Sequence, residues 1–211
     1  VVAMLLGVEG VAYNCVDAMG QTPLMMAAGK GHGDVVAVLL EVEGIEIGSM
    51  DNEGKTALAH AISCLPVVGA LLKGGSISAD YTTFEGLTYL MLAAASGNAR
   101  SVRAVLQAAQ FDINARDTHG GTALAHAVAS GSYGAVEAIL EVEGVNVHCV
   151  DEQGMTLLMH AARGGKVQIV VLMLLGVEGV DYNWNGVDAK GQTPLMTAAG
   201  EGHSGVVAVL L

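Results

Sequence analysis

An all-α solenoid, built of stacked helix–turn–helix units with β-hairpin-like fingers along one edge, is the fold class the sequence predicts. Two observations predict it. The stretch GQTPLMMAAGKGHGDVVAVLL, Gly20 to Leu40, recurs 171 residues later as GQTPLMTAAGEGHSGVVAVLL, identical at 17 of 21 positions. The pattern D-x-x-G-x-T also recurs, starting at Asp17, Asp51, Thr83, Asp117, Asp151 and Asp188, at spacings of 34, 32, 34, 34 and 37 residues. A fixed period of about 20 to 50 residues marks a solenoid, in which each copy of one supersecondary block is its neighbour's core.

Each segment of the unit has a physical reason. Thr22 is placed to cap a helix, and Pro23 suits the first helical position, where no N–H is needed. Leu24, Ala27 and Ala28 fall at i, i+3 and i+4, a narrow apolar face whose alanines let another helix come close. GKGHGD breaks the chain into a turn, and Val35, Val36, Leu39 and Leu40 form a second apolar face. EVEG ends that helix on glycine, and IEIGSM leads as a short extended piece into the turn DNEG. No single unit buries both of its helices, so stacking is obligatory.

Composition narrows the function classes. Glycine occurs 29 times with only three prolines, in a chain rich in apolar residues, which excludes disorder and fits short elements separated by turns. The longest uninterrupted apolar run is IVVLMLL, too short to span a bilayer, which takes about 20 residues. The formal charge of −12, with nine scattered basic residues, works against nucleic acid. Cys15, Cys64 and Cys149 are odd in number and lack C-x-x-C spacing, so a reducing, cytoplasmic setting is expected. No basic or signal-type segment opens the chain, which starts without Met and reads as a piece of something longer.

The phrase D-x-x-G-x-T-P-L, followed by A-A, G-H, V-V and L-L, resembles the ankyrin repeat over nearly the whole chain. The tetratricopeptide repeat has a similar period, but its aromatic and Leu-Gly signature is absent. One array is expected, with a partial repeat over 1–16, units over 17–50, 51–82, 83–116, 117–150 and 151–187, and a partial unit over 188–211. Three departures stand out. The second unit reads AISCLPVV where others carry a glycine turn, so Pro66 is expected to open its second helix and the stack to bend there. Thr83 replaces the leading Asp of the third unit, which should loosen that finger. The fifth unit is lengthened near VDYNWNGVD.

The resemblance implies a right-handed stack that recognises a protein partner through a concave groove lined by finger tips and the ends of the first helices. Carried over by position, that surface comprises Met19, Gln21, Lys30, Asn52, Glu53, Lys55, Phe84, Glu85, Leu87, Arg116, Thr118, His119, Glu152, Gln153, Met155, Arg163, Lys190 and Gln192. These positions vary between copies while the framework repeats. Trp184, the only tryptophan, arrives with the inserted residues; it either anchors a partner or folds back over Leu195.

Other residues weigh as structural. His60, His126 and His160 recur at one position of the first helix; two could lean together over a metal, but no third ligand is evident. They are expected to hydrogen-bond a neighbouring repeat, and His32 and His203 to tie down the G-H turn. Glu9, Glu43, Glu143 and Glu178 make an acidic stripe, a solvated face or a contact for a basic partner. Met25, Met26, Met91, Met159 and Met196 are expected mostly in the core. No nucleophile elbow, phosphate loop or carboxylate pair emerges, so no enzyme, cofactor or metal is expected. The chain is read as an interaction scaffold; the rival is a passive spacer for an enzymatic or membrane domain beyond the fragment. A start and stop inside helices predicts end-to-end association of the fragment.

Overall fold

The computed structural model describes residues 12–74, 78, 80–169, 171 and 186–211. Trp184, Tyr182, Glu9 and Glu178 lie outside the described residues, as does most of the first partial repeat. Eleven helices are described, in pairs: α1 (Pro23–Gly29) and α2 (Gly33–Leu40), α3 (Ala57–Ala61) and α4 (Leu65–Gly74), α5 (Tyr89–Ala95) and α6 (Ala99–Ala108), α7 (Ala123–Ser130) and α8 (Tyr133–Leu140). The fifth unit contributes α9 (Leu157–Arg163), and the sixth α10 (Pro194–Gly200) with α11 (Ser204–Leu210).

The first helix of every unit begins on a threonine. Thr22, Thr56, Thr88, Thr122, Thr156 and Thr193 hold extended backbone, and each hydroxyl oxygen accepts the amide three residues on. That bond satisfies one of the donors a helix start leaves unpaired. In units one, three and five the thioether of Met25, Met91 or Met159 accepts the threonine's own N–H at 3.4–3.5 Å, closing the cap from the other side. These three methionines are buried, while Met26 and Met196 are exposed. The methionines therefore divide between core and surface.

Successive first helices pack on one another, as do successive second helices, so one apolar core runs from Leu24 to Val206. Small residues set the spacing: Ala28, Ala93, Ala94, Ala127, Ala161, Ala162 and Ala198 are completely enclosed. Between the helices of a pair a glycine with positive φ makes the turn, as at Gly31 and Gly131. Unit two has none; its turn is Ile62–Ser63–Cys64, and Pro66 sits in the first turn of α4 as the sequence predicts.

The joint between units two and three is built differently from the rest. Among neighbouring first helices, α3 and α5 have the sparsest contact. A tyrosine pair spans the gap instead. Tyr81 and Tyr89 stack with ring centroids 3.9 Å apart; the Tyr81 hydroxyl donates to the Gly54 carbonyl at 2.9 Å, and the Tyr89 hydroxyl lies 2.8 Å from Thr56 Oγ1. Burial pushes both phenols above their ordinary range.

The described fingers are hairpin-like turns without a β-ladder. Among the described residues there is one isolated bridge, Val150 to Thr156, and no strand. Each tip is a closed turn, because the leading residue's side chain takes up amides that a strand partner would otherwise bond. In unit two, Asp51 Oδ1 accepts the amides of Glu53 at 2.9 Å and Lys55 at 2.8 Å, and the Asp51 amide donates to the Lys55 carbonyl. Asp17, Asp117, Asp151 and Asp188 repeat this. Thr83 provides one such bond, to the Leu87 amide, so the third tip is held less fully than its neighbours.

Candidate recognition surface

At every step the tips are joined to one another by a backbone bond. The amide following each leading residue donates to a carbonyl of the tip before it: Asn52 to Met19, Phe84 to Glu53, Thr118 to Glu85, Glu152 to His119, and Ala189 to Gln153. Distances run from 2.9 to 3.4 Å. The six tips therefore form a continuous row in which the side chains at each step are free to vary. Side chains reinforce it at two steps, with Asn52 Nδ2 donating to the Ala18 carbonyl and Thr118 Oγ1 to the Glu85 carbonyl.

Glycine is required where the tips stack. Gly54 has φ +76°, and a Cβ there would lie 3.0 Å from the Phe84 amide nitrogen and from its ring. Gly120, at φ +79°, lies equally close beneath Glu152 and Arg116. The glycine of D-x-x-G thus serves the turn and also admits the next unit.

Most of the residues carried over from the repeat pattern are accessible. Met19, Lys30, Asn52, Glu53, Glu85, Arg116, Thr118, His119, Glu152, Gln153, Arg163, Lys190 and Gln192 are exposed, and Phe84 is 72 % exposed. Gln21, Lys55 and Leu87 are half-buried, with Leu87 packed against the core. Met155 is not a surface residue: at 8 % exposure it is buried, because an apolar side chain at this lateral position turns inward where Gln and Lys turn out. Its sulfur receives Arg163 Nη1 at 3.6 Å. Arg116 is engaged within the array by a hydrogen bond from Nη2 to the Val150 carbonyl.

Behind the tips lies a row of Asp–His pairs. His60 meets Asp51 Oδ2 at 2.7 Å, His126 meets Asp117 at 2.7 Å, and His160 meets Asp151 at 2.9 Å. The partner is the unit's own tip aspartate, not a neighbouring repeat as the sequence reading expected. The nine-residue spacing brings the first helix under its own turn, and Asp Oδ2 is still free once Oδ1 holds the amides. Burial raises the Asp51 and Asp117 carboxyls, but their amide and imidazole partners outweigh it and hold both below the ordinary range. Burial lowers His160, which outweighs the attraction of Asp151; Arg163 and His126 lower it further. Among the described residues no group of three His, Cys, Asp or Glu is placed to hold a metal. His203 bonds the Arg163 carbonyl of the preceding unit at 3.0 Å, fixing the G-H turn as expected.

The Asp–His pairs, the tip row and the tyrosine pair were all missed in the sequence. Only the first had a readable signal: each of the three histidines stands nine residues after a leading Asp.

Family models agree with this geometry. One, described as "Ankyrin repeats (3 copies)", matches residues 1–82 and 132–211, and a second, "Ankyrin repeats (many copies)", matches residues 71–127. No curated protein matches the chain. With these matches running almost from end to end, over an all-α array of capped helix pairs, the chain belongs to the ankyrin-repeat family.

Proposed function

We propose that the chain is a protein-recognition scaffold that binds a partner protein across the row of tips and the adjoining ends of the first helices. Ankyrin repeats are generally protein–protein interaction modules. One observation carries the reading for this chain: backbone bonds hold the six tips in one row, while the side chains they present differ from copy to copy. A surface whose scaffold is independent of its side chains can change specificity without losing its fold. Catalysis is not part of the proposal, since repeats of this family typically serve as non-enzymatic scaffolds.

Among the described residues no helix is long and apolar enough to cross a membrane. Cys15, Cys64 and Cys149 are unpaired, which favours a reducing compartment. The net charge of −12 favours a partner with a basic contact surface.

The test is selection of binders from a displayed peptide library against the intact chain. Alanine at Glu53, His119, Gln153 and Lys190 is then introduced one position at a time. At least one should weaken the selected binders by about 2 kcal/mol, as hot-spot residues do, with Gln107→Ala on α6 neutral. Binders that respond only to the second helices would contradict the proposal and favour the passive-spacer reading.

A further inference from the structure

The row of tips is uneven in one place. At the position after the leading residue the six units carry Ala18, Asn52, Phe84, Thr118, Glu152 and Ala189. Asn52 and Thr118 use their side chains to bond the preceding tip; Phe84 cannot. Its ring instead lies along Gly54, against the backbone of the second tip, and is otherwise open. Packing holds the ring in place without hiding it.

That ring lines a cleft of about 340 Å³ between the second and third tips, together with Asn52, Glu53, Lys55, Thr83 and Glu85. The charge around the cleft is unbalanced. Lys55 is the one cation lining it, and it is already committed, with Nζ 2.6 Å from Glu53 Oε2. Asp51 and Glu85 also act on Lys55. Asp51 has its own partner in His60, whereas the Glu85 carboxylate has no hydrogen-bond or ion-pair partner among the described residues. An open aromatic face beside a carboxylate that no hydrogen bond or ion pair holds attracts a cation twice, through the ring quadrupole and through direct charge.

We infer that this cleft is the docking point for an arginine or lysine side chain of the partner, stacked on Phe84 and paired with Glu85. The inference rests on the recognition reading above and names the chemistry of one contact within it. An arginine suits the site better, because a planar guanidinium can lie on the ring and present its edge to the carboxylate.

The sequence provides a convenient test, since it contains only two phenylalanines, Phe84 and the half-buried Phe111. The intact chain with ring-labelled phenylalanine is titrated with N-acetyl-arginine amide, and separately with its uncharged isostere N-acetyl-citrulline amide, by NMR. The arginine probe should shift Phe84 saturably and leave Phe111 in place. Citrulline, and arginine on Glu85→Gln, should each bind at least about threefold more weakly, the scale of an exposed cation–aromatic contact. Equal responses to arginine and citrulline would overturn the assignment in favour of plain apolar contact, and an unmoved Phe84 would overturn it outright. In either case library peptides that still bind through the tips would preserve the wider recognition reading, and absence of any tip-dependent binder would remove both.

Discussion

One histidine, two aspartates and one serine carry the residue-scale predictions. His160 is held below its ordinary pKa, so the unfolded chain takes up the proton first as pH falls. Its contribution to stability is complete above about pH 6.5 and is lost as pH falls below that value. Asp51 and Asp117, also lowered, contribute stability that is complete above the ordinary carboxyl range and lost as pH falls further. The melting temperature should therefore decline in two stages between pH 8 and pH 3, and His160→Gln should flatten the first. Parallel curves for the two proteins would refute this role. Ser101 makes a different prediction. Its hydroxyl is fully enclosed and has no hydrogen-bond partner, at a position where other units carry Val, Ala or Ile. Ser101→Ala should raise stability by about 1 kcal/mol in urea unfolding, the scale of one unmade buried bond, and a loss would show that the hydroxyl has a partner. Beyond the nine-residue spacing of Asp and His none of this was legible beforehand, because a sequence gives the spacing of Asp51 and His60 but not which way the imidazole turns. Met155 shows the same limit. It shares its position with Gln21, Lys55 and Gln192, and only packing distinguishes the inward copy from the outward ones.

At the scale of elements, the helix starts were the most legible feature. Thr-Pro and Thr-x-Leu recur at fixed spacing, and a cap is a local contact that sequence neighbours determine on their own. The weak joint was half legible: the lost glycine turn and Thr83 were visible, while the compensating stack of Tyr81 on Tyr89 was not, since it depends on how two units meet. This joint yields a prediction. Tyr81→Ala removes a buried ring from the joint between α3 and α5, the neighbouring first helices with the sparsest contact, at a cost of about 3 kcal/mol. In a one-dimensional array such a loss uncouples the two sides, so calorimetry should resolve two transitions where the parent shows one. A single transition at an unchanged midpoint would mean that the tyrosines carry no load there. Gly54→Ala strains the neighbouring tip by both its backbone and its Cβ, and should cost about 1–2 kcal/mol in the same measurement.

The whole molecule is a stack in which the fold and the surface are specified by different atoms. Core alanines, threonine caps and, in all units but the third, tip aspartates repeat because most units meet a neighbour in the same way. The presented side chains are under no such constraint. What turns six separate turns into one surface is the set of backbone bonds between tips, invisible in a sequence because amides and carbonyls are common to every residue. Their existence is the central claim, and amide hydrogen exchange tests it most directly. The amides of Asn52, Phe84, Thr118, Glu152 and Ala189 sit in exposed turns and would exchange rapidly if each tip were independent. They should instead exchange at least about a hundredfold more slowly than exposed amides without partners, in step with the helices beneath them. Exchange of all five at the rate of a free turn would show that the tips are not joined, and would contradict the account of a single recognition surface.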